Sequence, residues 1–234
     1  MDLMVIGCDG TYPSANGACS GYLVRAGETR ILMDCGSGVM SKLMALMDPA
    51  RLSAVILTHW HNDHASDMLV LRYYLQIHKR KLAVYAPLEQ HPLMRLCEGS
   101  EFILRDIRDL AEIDGIRIET LPVSHPVAAY AVRISYEEKA LVYTGDTNRW
   151  EPLVGFCKDA DALICDATFQ EDEWHDRLPH LTAAQAAELG KQAAVKRLIL
   201  THFQPGSDAQ SLTREAQAVY HASEPAKPGI WLSL

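Results

Sequence analysis

The chain has 234 residues and a formal net charge of −8, from 30 acidic and 22 basic side chains. That length can bury a sizeable core, and one domain over residues 1–234 is expected; the acidic balance argues against a broad nucleic-acid or anionic-membrane footprint. No apolar run approaches a membrane span. The start lacks the basic and cleavage regions of a secretory signal, and the six cysteines form no C-x-x-C, so a cytoplasmic protein with free thiols is expected.

In chain order, strand-like runs are predicted over residues 2–7, 20–26 and 29–34, with no helix before residue 38. A helix follows over 38–47, a strand over 52–58, a helix over 66–79, a strand over 83–86 and a helix over 88–97. The second half opens with strands over 101–108, 115–121, 129–136 and 139–144, the last two split by a Glu137-Glu138 turn. Helices over 150–157, 182–194 and 210–221 alternate with strands over 161–166 and 197–201. Hairpins mixed with βα units point to an α/β protein of two mixed sheets flanked by helices.

The most informative segment is His59-Trp60-His61-Asn62-Asp63-His64. It sets four metal donors at the end of a buried strand, where α/β sheets hold ligands. By composition alone, H-x-H-x-D-H arises on the order of once in a thousand such chains. A capped helix N-terminus explains Asp63 and none of the histidines. Further donors follow β-rich runs: His125 where a strand breaks at Pro126, Asp146 after Thr144-Gly145, and His202 after Thr201. Singly each reads as an ordinary loop residue; jointly they place donors at one edge of the sheets. His78, His91, His175 and His221 read as structural or solvent-facing. Residues 171–176 read as an acidic loop able to cover the site.

This order of motifs resembles the metallo-β-lactamase fold hydrolases over essentially the whole chain. The resemblance implies a four-layer αβ/βα sandwich with its site at one edge. It implies two divalent metal ions, zinc by default with manganese or iron also fitting. His59, His61 and His125 would hold one, Asp63, His64 and His202 the other, and Asp146 would bridge them. Asp34, in the 33–38 turn, would support the metal loop. A metal pair a few ångströms apart, with zinc lowering the pKa of bound water to about 7, suits hydroxide attack on an anionic ester.

Cys165-Asp166-Ala167-Thr168-Phe169 and His180-Leu181-Thr182 narrow the likeness to the ribonuclease Z-like phosphodiesterase branch. By that resemblance His180 donates a proton or binds phosphate and Asp166 orients it; His180, Asp166 and Asp63 are the candidate catalytic residues. Cys165-Asp166 departs from the His-Glu usual there, and Asp is one methylene shorter. The tRNA-clamping arm of ribonuclease Z has no room between His125 and Asp146. The expected substrate is therefore a small phosphodiester, a cyclic nucleotide or cyclic sugar phosphate, with no membrane or nucleic-acid partner and with a homodimer suggested by the branch. The alternatives are tRNA 3′-end processing and thioester or lactone hydrolysis.

Overall fold

The computed structural model describes residues 1–234. Its strands are β1 (Asp2–Gly7), β2 (Gly21–Ala26), β3 (Thr29–Met33), β4 (Ala54–Ile56), β5 (Leu82–Ala86), β6 (Phe102–Asp106), β7 (Glu112–Ile113), β8 (Ile116–Pro122), β9 (Tyr130–Tyr136), β10 (Lys139–Tyr143), β11 (Ala162–Asp166), β12 (Leu198–Thr201), β13 (Ser223–Pro225) and β14 (Trp231–Ser233). The helices are α1 (Val39–Leu46), α2 (Asn62–Ala65), α3 (Met68–Ile77), α4 (Pro92–Cys97), α5 (Pro152–Phe156), α6 (Ala183–Gln192) and α7 (Ala209–Val219). All eleven expected strands and six expected helices are present. The sequence reading missed β7, β13 and β14, each two or three residues long, and the single turn α2.

Two seven-stranded sheets form, in the orders β14-β1-β2-β3-β4-β5-β6 and β13-β12-β11-β10-β9-β8-β7. Each is half antiparallel and half parallel: β3 to β6 run parallel in the first, β10 to β13 in the second. Side-chain alternation makes the layers. In β1, Leu3 and Val5 enter the core between the sheets, while Met4 and Ile6 face the opposite way. Tyr22 and Val24 alternate with Leu23, and Ile31 and Met33 with Leu32, in the same sense. Val39 and Leu43 of α1 and Met68, Leu71 and Leu75 of α3 cover that second face. Strands buried on both faces read as continuous apolar runs. On the far side, α6 packs on β11 and β12 and α7 on β13, completing an αβ/βα sandwich. No helix is long and apolar enough to cross a membrane.

Polar contacts that cross between the sheets include one pair beside the donor residues. Tyr22 and Tyr143 bring their rings to 4.6 Å. The Tyr22 hydroxyl meets the Thr201 hydroxyl at 2.5 Å, both in the fully buried interior. Tyr22→Phe leaves that Thr201 hydroxyl without its partner. A buried unmet group costs about 1–3 kcal/mol. Urea unfolding of the metal-free protein should show a loss of that size with little change in slope. An unchanged midpoint would mean the bond contributes nothing.

Candidate metal centre

Chain reversals at the carboxyl ends of strands deliver the donors, those of parallel β4, β10, β11 and β12 and that of antiparallel β8. After β4, Leu57 and Thr58 lead to His59 and His61, and α2 then carries Asp63 and His64. The expected open loop is therefore half helix, with His61 as the residue before the first turn. Close approach of that turn to residue 36 demands glycine: a Cβ there would lie 1.9 Å from the Asp63 carbonyl. His125 follows β8, Asp146 follows β10, Asp166 ends β11 and His202 follows β12. Gly145, at φ 60°, makes the turn that points Asp146 inward. His202 itself sits at φ 61°, a left-handed conformation that non-glycine residues adopt at a cost.

All seven expected donors come together, in two sets. Donor atoms of His59, His61, His125 and Asp146 lie within 4.8 Å of one another, as do those of Asp63, His64, Asp146 and His202. Asp146 is common to both. Its Oδ1 lies 3.1 Å from His64 Nε2, and its Oδ2 lies 3.6 Å from His59 Nε2 and 3.3 Å from His202 Nε2. Asp63 Oδ2 lies 3.2 Å from His202 Nε2 and accepts the Thr11 backbone N–H at 2.7 Å.

Surrounding hydrogen bonds fix which imidazole nitrogen faces inward. The Thr58 hydroxyl donates to Asp34 and so accepts from His59 Nδ1 at 3.0 Å. The Pro179 carbonyl can only accept, and it takes His125 Nδ1–H at 3.3 Å. The Thr168 hydroxyl donates to Asp166 and accepts from His202 Nδ1 at 2.9 Å. Asp34 takes His64 Nδ1–H at 2.7 Å. Each of these rings therefore aims Nε2 at the centre, the usual role of partners behind a metal ligand. Asp34 thus supports the metal loop, as the sequence likeness implies. Thr58 and Thr168 went unremarked as supports, although each lies within or beside a quoted motif.

Bare imidazole nitrogens do not belong this close together. His61 Nδ1 lies 3.0 Å from His59 Nε2 and 3.1 Å from His125 Nε2. With the Nδ1 protons of His59 and His125 already given outward, His61 Nδ1 has at most one proton for two acceptor nitrogens, and one contact is left lone pair against lone pair. His64 Nε2 is buried without an aligned hydrogen bond, although Asp146 Oδ1 lies 3.1 Å away. A cation resolves both problems. The 3.0–3.1 Å separations approach the roughly 3.3 Å that ligands of one tetrahedral zinc keep. The donor set fits divalent metal.

Electrostatics divides the two sets. Burial pushes His59 well below the ordinary imidazole pKa, lowers His61, and pulls His125 down to about 4. For His64 burial acts the same way but loses to Asp146 and Asp34, which together hold it well above the ordinary value. Asp146 resists its own burial because His202 and His64 hold it well below the carboxylate range.

Next to these sets lies a third. Asp146, Asp166, His180 and His202 also bring donor atoms within 4.8 Å of one another. Asp166, fully buried, accepts His180 Nδ1–H at 2.8 Å, the Thr147 N–H at 3.1 Å and the Thr168 hydroxyl at 2.7 Å. The shorter carboxylate therefore still reaches the imidazole. Burial opposes a proton on His180, but Asp166 outweighs it and raises the pKa to about 9. The His180 ring stacks on His202 with centroids 4.8 Å apart. Trp60 is buried, its indole N–H given to the Pro87 carbonyl. His91 caps the start of α4. The acidic segment forms a 3-10 turn, Glu171–Glu173, followed by stitched-down chain.

A fold and a centre of this kind define a class, and the comparisons agree with it. The family profile described as the Beta-lactamase superfamily domain matches residues 29–203. Over 242 aligned residues the chain is 33% identical to "Probable metallo-hydrolase YhfI" of Bacillus subtilis, covering 99% of each chain. The crystal structure of that metallo-β-lactamase fold protein superposes with a TM-score of 0.93, over 99% of this chain and 98% of that one. A ribonuclease Z of Methanopyrus kandleri is 27% identical over 274 residues, spanning 96% of this chain and 95% of the relative. A diphosphatase of the PhnP family shares the fold at 16% identity, with a TM-score of 0.81 over 100% of this chain and 97% of that one. The chain belongs to the β-lactamase superfamily of metallo-hydrolases. It is a metal-dependent hydrolase.

The split between the donor sets has a pH signature. A raised pKa keeps the His64 proton in place through neutrality, so a metal at Asp63, His64 and His202 must displace it and binds more weakly as pH falls. His125 takes up a proton only near pH 4, and His59 and His61 also lie below the ordinary value. Dialysis of the metal-loaded protein through descending pH, with metal counted at each step, should show two stages of loss. The Asp63, His64 and His202 stage should come first. A single stage would contradict the assignment.

Proposed function

We propose that this hydrolase is a phosphodiesterase acting on a small phosphodiester, such as a cyclic nucleotide or a cyclic sugar phosphate. The observation that carries the reading is the His180–Asp166 pair beside the donor sets. Nδ1 of His180 is committed to Asp166 at 2.8 Å, which leaves Nε2 for a substrate oxygen. In this reading His59, His61 and His125 hold one divalent metal, Asp63, His64 and His202 a second, and Asp146 both, with zinc the default ion. Metals there supply Lewis-acid polarisation and lower the pKa of water, the usual two-metal chemistry of phosphoester hydrolysis. Asp166 fixes the ring, and the protonated imidazole gives its Nε2 proton to the leaving oxygen. Asp63 is the third candidate catalytic residue, since its Oδ2 lies at the centre, 3.2 Å from His202 Nε2.

The chain is taken to act as one domain, because the core between the sheets draws on residues from Leu3 to Ala226. Two of its similar proteins, the M. kandleri ribonuclease Z and the PhnP-family diphosphatase, bear names that describe cleavage at phosphate groups. A small substrate fits the interval between His125 and Asp146, which is occupied by the β9–β10 hairpin and nothing longer. The ribonuclease Z likeness, spanning nearly both chains, favours tRNA 3′-end processing as the second reading. A pre-tRNA transcript at low salt separates the two.

The test is a comparison of leaving groups. His180→Ala should keep both metals yet lose about 10²–10⁴-fold on a cyclic nucleotide, whose ribose oxygen needs a proton to leave. The loss should be much smaller on bis-p-nitrophenyl phosphate, and Asp166→Asn should show the same pattern more weakly. Equal losses on both substrates would count against proton donation, and loss of metal would make His180 a ligand.

A homodimer is part of the proposal. Helix α3 is apolar nearly all round, yet Val70, Tyr73 and Ile77 stand 52%, 70% and 76% exposed on its outer side. Such a helix is ordinarily covered, and a second copy of this chain is the proposed cover. Light scattering should give twice the chain mass, falling to one chain for Tyr73→Asp; a wild-type monomer would refute it.

A further inference from the structure

His180 stands on a stretch with little regular structure between β11 and α6, apart from the 3-10 turn Glu171–Glu173. Its place is set instead by three consecutive carbonyls, two taken by side chains from outside the stretch and one by Trp174 within it. The Leu178 carbonyl accepts Asn148 Nδ2–H at 2.7 Å. The Pro179 carbonyl accepts His125 Nδ1–H at 3.3 Å, and the His180 carbonyl accepts the Trp174 indole N–H at 3.0 Å. Asn148 Nδ2 also reaches the Asp176 carbonyl at 3.4 Å.

Asn148 uses every polar group it has. Its Oδ1 accepts the Arg149 N–H at 2.6 Å, which fixes the amide so that the NH2 group faces the 176–178 carbonyls. Its backbone N–H donates to the Ser124 carbonyl at 2.9 Å, one residue before His125. Its carbonyl accepts the Thr147 hydroxyl at 2.7 Å, and the Thr147 N–H holds Asp166. Of three consecutive residues, Asp146 is the shared donor, Thr147 holds the residue that orients His180, and Asn148 holds the stretch that carries His180.

We infer that Asn148 is a positioning residue: its carboxamide sets His180 in register with Asp146 and His125, and so aims His180 Nε2 at the reacting oxygen. The Asp166 bond fixes one ring nitrogen but not the backbone around it; the Asn148 bond to Leu178, the shortest of the three carbonyl bonds, does most to remove that freedom. This inference rests on the reading of His180 as the proton donor. Asn148 is not among the residues whose donor atoms gather at the centre. Misplacing a catalytic group by about 1 Å can cost about 10²-fold.

The experiment compares metal-loaded wild type, Asn148→Ala, Asn148→Asp, His180→Ala and the Asn148→Ala/His180→Ala double variant. Asn148→Asp keeps size and Oδ1 but has no hydrogen to give. Both Asn148 variants should retain their metal and lose about 10–100-fold in kcat on a 2′,3′-cyclic nucleotide. KM should hardly move, and bis-p-nitrophenyl phosphate turnover should fall far less. Adding Asn148→Ala to His180→Ala should cost nothing further. In the metal-free protein, hydrogen exchange should speed up across residues 174–181 and stay unchanged in β10 and β11. Wild-type activity in Asn148→Asp, equal losses on both substrates, or a full additional loss in the double variant would overturn the inference. If His180→Ala alone shows no leaving-group preference, the proton-donor reading fails. Asn148 is then judged by the double variant and by exchange at 174–181, where wild-type exchange overturns it.

Discussion

Asp34 is the constraint on which the centre depends. Its carboxylate has no exposed surface and gathers the Thr58 N–H at 2.8 Å, the Thr58 hydroxyl at 2.9 Å, His64 Nδ1–H at 2.7 Å and the Tyr143 hydroxyl at 2.9 Å. A buried carboxylate is tolerable only with such company, and removing one donor leaves the rest of the penalty standing. Each donor it recruits positions something else. Thr58 turns the chain into His59, His64 aims its other nitrogen at the centre, and Tyr143 ties the end of β10, three residues before Asp146, to Asp34. Asp34 adopts φ 57°, a conformation aspartate tolerates better than most residues.

Because Asp34 lies on one sheet and Tyr143 on the other, this network also joins the halves of the molecule. The first half contributes His59, His61, Asp63 and His64, and the second contributes His125, Asp146 and His202. The donors meet only when the two sheets pack face to face. Metal binding and sheet packing should therefore reinforce each other, since a complete donor set does not exist in the unfolded chain.

Around the donors, hydrogen bonds supply order more than strength. Hydroxyl groups of Thr58 and Thr168 each donate to a carboxylate and accept from a ring, which settles the tautomers of His59 and His202. The same device recurs at His180, where Asp166 takes the Nδ1 proton, and at His125, where a backbone carbonyl does. Carboxylate, hydroxyl and imidazole form one connected shell in which few rotations are free. Such preorganisation is what hydrolysis at a fixed centre requires.

Much of this was legible in the chain. Runs such as Leu3–Ile6 and Leu198–Thr201 announce buried strands because both faces of each sheet are covered, and the hexapeptide His59–His64 announces metal because few other roles use that many donors so closely spaced. The seven donors and the His180–Asp166 pair could be named because they lie in local motifs matching a known family. What the sequence could not show lies in contacts between distant segments. The strands β13 and β14 are too short to carry a period and exist because a neighbouring edge offers them hydrogen bonds. Asn148 looks like any loop asparagine until residues 124 and 178 arrive beside it. Tyr22 looks like any strand tyrosine until Thr201, 179 positions away, meets its hydroxyl. Local composition determined the donors and the strands. Packing of one sheet on the other decided how those donors face one another, because direction and distance between remote groups are properties of the folded chain alone.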